Sequence, residues 1–87
     1  MFEKDVERLF VKHIQQLGGI AYKFTSPGRR AVPDRLCLLP GGRIFFVELK
    51  APGKKPTKLQ LLEHEKIRAM GFEVLIIDHK DHVYAIS

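Results

Sequence analysis

Pro33-Asp34-Arg35-Leu36-Cys37-Leu38-Leu39-Pro40-Gly41-Gly42-Arg43-Ile44-Phe45-Phe46-Val47-Glu48-Leu49-Lys50 decides how this chain folds. Two apolar runs, Arg35 to Leu39 and Arg43 to Leu49, flank Pro40-Gly41-Gly42, which is turn chemistry at hairpin length. The segment predicts an antiparallel pair of strands. Side chains alternate across a strand, so Leu36, Leu38, Ile44 and Phe46 share one face and Cys37, Leu39, Phe45, Val47 and Leu49 the other. Both faces are apolar, and the sheet is expected to be covered on both sides. With a three-residue loop, Leu39 faces Arg43, Leu38 faces Ile44 and Leu36 faces Phe46. Counting two pairs further back sets Asp34 opposite Glu48.

Working outward, Val6, Leu9, Phe10, Ile14 and Leu17 recur at helical spacing, with Gly18-Gly19 as the stop, so a helix is predicted from about Glu3 to Leu17. Ile20 to Thr25 has strand composition and is broken by Ser26-Pro27-Gly28 before Arg29-Arg30. Beyond the hairpin, Thr57-Lys58-Leu59-Gln60 matches a capping box, and a second helix runs to Met70, with Gly71 as its stop. Its apolar stripe of Leu59, Leu62 and Met70 is interrupted by Lys66. Phe72 to Asp78 and Val83 to Ile86 read as two final strands. The expectation is an α/β fold with a mixed central sheet flanked by two main helices, in the order αβββαββ. No linker or repeat divides it, so residues 1–87 are read as one domain.

At 87 residues, folding hides only about 60 to 65 per cent of the surface that the unfolded chain exposes. The core is thin, and pairing of two copies through an apolar surface would supplement it. Cys37 is the only cysteine, and no signal peptide or membrane-length apolar run is present, which places the chain in the cytoplasm, away from membranes. His79 and His82 form His-x-x-His without a cysteine or carboxylate cluster beside them, and read as part of a solvated turn. The net charge is +5, yet Lys23 to Lys58 contains nine Lys and Arg against two acids, Asp34 and Glu48. The rest of the chain is net −2, so positive charge is concentrated where a phosphate backbone would be held.

Those two acids carry the chemistry. Glu48 and Lys50 project to one face of their strand. Asp34 opposite Glu48 brings two carboxylates within about 4.5 to 5.5 Å at Cβ, close enough to share a cation and repulsive without one. Oxygen ligands favour Mg2+ or Mn2+, with positions left for water and a phosphate oxygen. Such an ion would acidify a water for phosphodiester hydrolysis, while Lys50 offsets the growing negative charge or orients the water. The ordinary alternative for each residue singly is an exposed acid and base on an edge strand, with Asp34 capping a loop.

Pro33-Asp34, thirteen intervening residues and then Glu48-Leu49-Lys50 resemble the PD-(D/E)xK nuclease signature. With the acidic first helix, the Gly18 stop and the helix opened by Thr57 to Gln60, nearly the whole chain resembles the VRR-NUC subfamily, in its stand-alone viral or bacterial form. That resemblance implies a restriction-endonuclease-like domain, metal ligation by Asp34, Glu48 and the Leu49 carbonyl, and Lys50 as base or electrostatic stabiliser. It also implies an acid from the first helix, for which Glu7 is chosen over Glu3, and a role for Gln60 beside its capping duty. Stand-alone members are similar to Holliday-junction resolvases, so the resemblance implies a homodimer acting on branched DNA, in the host cytoplasm if the chain is viral. Arg29, Arg30, Arg35, Lys54, Lys55 and Lys58 are the candidates for backbone contacts. Alternatives from the same residues are a non-catalytic nucleic-acid-binding module, a flap-cutting or restriction-like enzyme, and an RNA nuclease.

Overall fold

The hairpin is the centre of the architecture. In the computed structural model, which describes Met1 to Ser87, β2 (Arg35–Leu39) and β3 (Arg43–Leu49) pair antiparallel, with Leu39 facing Arg43, Leu38 facing Ile44 and Leu36 facing Phe46. That is the register the turn predicts. β1 (Ile20–Lys23) adds antiparallel to β2, and β4 (Glu73–Ile77) adds parallel to β3, giving a four-stranded mixed sheet in the order β1-β2-β3-β4. A parallel neighbour needs a crossover, and α2 (Lys58–Ala69) provides it.

One face of the sheet is sealed. α1 (Glu3–Gln16) lays Val6, Phe10 and Ile14 against Cys37, Leu39, Phe45, Val47 and Leu49, all of them buried in one cluster. The helix opens with the Asp5 carboxylate accepting a hydrogen bond from the Phe2 N–H at 2.7 Å. It closes through Gly18, whose φ of +84° is the left-handed conformation that glycine adopts without strain. Gly19 then passes so close to β2 that a Cβ there would sit 2.4 Å from the Leu38 carbonyl oxygen.

Two sequence expectations need correction. Val83 to Ile86 is no strand: α3 (Lys80–Tyr84) is a short helix, capped by His79 Nδ1 accepting from the Asp81 N–H at 3.0 Å. Val83 and Ile86, the two apolar residues behind that expectation, are spaced by three, and a helical turn buries both against the α1 side of the core. The order is therefore αβββαβα. The opposite face of the sheet is also only partly covered. Ile20, Leu38 and Ile44 there are 51%, 37% and 47% exposed. α2 is short and packs chiefly over β4, which leaves the turn end of the hairpin bare.

α2 itself is rotated relative to its apolar pattern. Leu59, Leu62 and Met70 face outward, while Glu63, His64 and Ile67 are buried. Polar contacts near the end of β3 have set this face, against the hydrophobic preference. No helix is long and apolar enough to cross a membrane.

Candidate active site

The site forms where β3 ends. Pro33, fully buried, leads the chain into β2, and Asp34 is held by both of its polar ends. Its main-chain carbonyl accepts from the Phe24 N–H at 2.8 Å, and its carboxylate accepts from the Leu49 N–H at 2.8 Å. Asp34 thereby ties the end of β1 to the end of β3. The residue next to the hairpin ladder becomes a fixed carboxylate.

Glu48 lies on the α2 face and is 1% exposed. Gln60 Nε2 donates to its Oε2 at 3.2 Å, and His64 Nε2 lies 3.3 Å from its Oε1. Lys50 Nζ is 3.7 Å from Oε2. Burial pushes the Glu48 carboxyl up to about 7; the nearby Asp34 carboxylate adds to the rise, and Lys50 opposes it. Two acids in a poorly solvated place with one amine beside them form an under-neutralised pair.

Gln60 performs two tasks at once. Its N–H donates to Thr57 Oγ1 at 3.1 Å and its Oε1 accepts from the Thr57 N–H at 2.8 Å, which completes the capping box. The remaining NH2 group is the one on Glu48. His64, one helical turn later, was not anticipated from sequence, although its spacing of four from Gln60 and three from Ile67 marks the buried face of α2. Its ring is completely buried, and Nδ1 has no hydrogen-bond partner. Burial, then the positive charge of Arg68, lowers its pKa. A neutral ring facing an ionised Glu48 would carry its proton on Nε2, which leaves Nδ1 as the bare nitrogen.

Glu7, the helix-one acid chosen from the sequence, lies at the edge of the site, where its Oε2 accepts from Arg35 Nε at 3.1 Å and Nη2 at 2.9 Å. Glu3, one turn earlier, has no ion-pair partner and is near enough to raise the Glu48 pKa. Both border a cleft of about 320 Å3 lined also by Lys23, Phe24, Thr25, Asp34 and Leu49. No three His, Cys, Asp or Glu side chains form a metal cluster. The donor set at the site is two carboxylates beside a main-chain segment, all oxygen, the kind that suits a hard divalent cation with open positions.

The six basic candidates divide. Arg29 makes a two-pronged contact with Glu63 on α2, at 2.6 and 2.9 Å, which pins the loop carrying Asp34 to that helix. Arg35 holds Glu7 and the Ala21 carbonyl. Both guanidinium groups are therefore engaged within the protein. Lys55 is 3.9 Å from Asp78 yet 82% exposed, and Arg30, Lys54 and Lys58 are exposed without a carboxylate partner.

No protein-family model matches the sequence. The chain is 54% identical over 79 residues to "Putative nuclease p44" of Acyrthosiphon pisum secondary endosymbiont phage 1, covering 91% of this chain and 85% of that protein. It also superposes on a solved structure described as a VRR_NUC domain with a TM-score of 0.89, at 35% sequence identity, over 97% of this chain and 91% of the other.

Proposed function

The chain belongs to the VRR-NUC nuclease family, and on that premise we propose that it hydrolyses phosphodiester bonds in DNA with Mg2+ or Mn2+ held at Asp34 and Glu48. The observation that carries this reading is the convergence of Asp34, Glu48 and Lys50 at the end of β3, with both Glu48 oxygens contacted from α2. The Leu49 carbonyl is the proposed main-chain ligand, and Glu7, fixed at the edge of the cleft by Arg35, the proposed acid from α1. When bound, the cation would polarise the phosphate and make a water more acidic. Lys50 is the positive group that the chain itself brings to charge building on the phosphate oxygens, or it orients the attacking water. Gln60 and His64 hold the Glu48 rotamer and act as positioning residues.

Branched DNA such as a four-way junction is the proposed substrate, cut by a homodimer that sets two sites at a fixed spacing. What supports pairing is the apolar surface left bare where Ile20, Leu38 and Ile44 stand side by side on neighbouring strands.

The test is cleavage of labelled four-way junction, flap, linear duplex and RNA in Mg2+, Mn2+ or chelator. Cutting of the junction in either metal and none in chelator is expected; no cutting of any substrate defeats the enzyme reading, and equal cutting of all defeats the preference. Lys50→Ala is expected to keep DNA affinity within about threefold while losing at least about a hundredfold in cleavage rate.

A further inference from the structure

Sequence alone places the positive charge between Lys23 and Lys58 and leaves the remainder net negative. The folded α1 alters that picture. Its buried residues, Val6, Phe10 and Ile14, run at steps of four. Lys4, Arg8 and Lys12 run at the same steps two residues out of phase, about 200° round the helix, and all three are exposed. None has a carboxylate within ion-pair distance. Like charges at i, i+4 repel one another, and an anion laid along the stripe would relieve that repulsion.

The three residues line a groove of about 610 Å3 together with Glu7, Val11, Gln15 and Arg35. Glu7 also lines the cleft that holds Asp34 and Leu49, which makes the two hollows neighbours across one side chain. The sole acid in the groove is already bound to Arg35, so the charge the groove presents is positive. From Lys4 to Lys12 is about 12 Å along the helix axis, the rise of roughly three to four phosphates on one strand of a duplex. α1 covers the sheet face opposite to α2, which Lys58 opens and whose preceding loop carries Lys54.

We propose that Lys4, Arg8 and Lys12 form a phosphate-contact track for a duplex arm, continuous with the cleft and lying on the far side of the scissile phosphate from the Lys54–Lys58 segment. This rests on the nuclease reading and adds to it the direction in which the substrate leaves the site. The grip is independent of base sequence, because all three groups meet backbone oxygens only.

The experiment is binding of a 20-base-pair duplex, followed by fluorescence anisotropy in chelator over a range of salt, for wild type and Lys4→Gln/Arg8→Gln/Lys12→Gln. Glutamine keeps helix propensity, and circular dichroism with thermal unfolding checks that the fold is intact. Loss of three phosphate contacts should flatten the plot of log affinity against log salt by about 2.7 and weaken binding at least about tenfold at 0.1 M salt. Lys66→Gln/Lys80→Gln, which removes charge away from this groove, should change the slope by less than about 0.5.

A triple variant with wild-type slope overturns the proposal, as does an equal loss in the Lys66/Lys80 control. Loss of binding to phosphatidylserine vesicles with duplex binding unchanged would also overturn it, by making the stripe a membrane contact. A flattened slope in a protein that cuts nothing would uphold the track and remove the nuclease reading. The two failures are thus distinguishable.

Discussion

His64 is the residue whose role was hidden from sequence, because a histidine on a helix face says nothing about what lies opposite. Its Nε2 is 3.3 Å from Glu48 and its ring is sealed from water. His64→Leu removes the donor while keeping an apolar volume, and Mn2+ affinity measured calorimetrically should fall about 10- to 100-fold. His64→Gln, which retains an N–H donor on a side chain of similar reach, should recover most of it; equal affinity in the leucine variant would reduce His64 to packing. Glu48 gives a prediction in pH. Its carboxyl, ordinarily near 4.5, titrates at about 7 when folded, so between those values the folded protein holds a proton that the unfolded chain has released. Stability of the metal-free protein should therefore fall as pH rises from about 4.5 through 7, by up to about 3 kcal/mol. Denaturant titrations across pH 5 to 8 should show that fall in wild type and its absence in Glu48→Gln.

At the scale of elements, what was legible followed from periodicity and turn chemistry. The hairpin register came from three residues, Pro40-Gly41-Gly42, and the start of α2 from Thr57 and Gln60. α3 was misread as a strand because four residues with two apolar positions contain too little pattern to separate a period of two from one of 3.6. The apolar stripe of α2 faces outward, since Gln60, Glu63 and His64 gain partners only after β3 and the Arg29 loop have come to meet them. The junction between α1 and β1 offers a test of close packing. An alanine Cβ at Gly19 would meet the Leu38 carbonyl oxygen at 2.4 Å and Leu39 Cδ2 at 2.6 Å, so Gly19→Ala should destabilise the protein by about 1–3 kcal/mol, read from thermal or urea unfolding. A change below about 0.5 kcal/mol would mean that this approach is not tight.

For the whole molecule, only 18 of 87 residues are buried, while Ile20, Leu38, Ile44, Phe72, Met70 and Leu62 lie exposed on the α2 side of the sheet and on α2 itself. A charge in that surface should separate a homodimer without unfolding the monomer. Ile44→Lys, at 47% exposure, is expected to halve the mass seen by light scattering while the circular dichroism spectrum is kept; a wild type that is already monomeric would remove the paired arrangement from the proposed function. The helix–hairpin–helix order, the strand register and the gathering of Asp34, Glu48 and Lys50 at one end of the hairpin were legible in the sequence, because each follows from local periodicity and from period-two alternation counted outward from a single tight turn. Tertiary structure alone decided that Gln60 and His64 contact Glu48, that Arg35 takes Glu7, that Arg29 takes Glu63, and which sheet face is left open. Those contacts join residues 12 to 34 positions apart, and such pairings are set by how helices dock on the sheet, which no local pattern encodes.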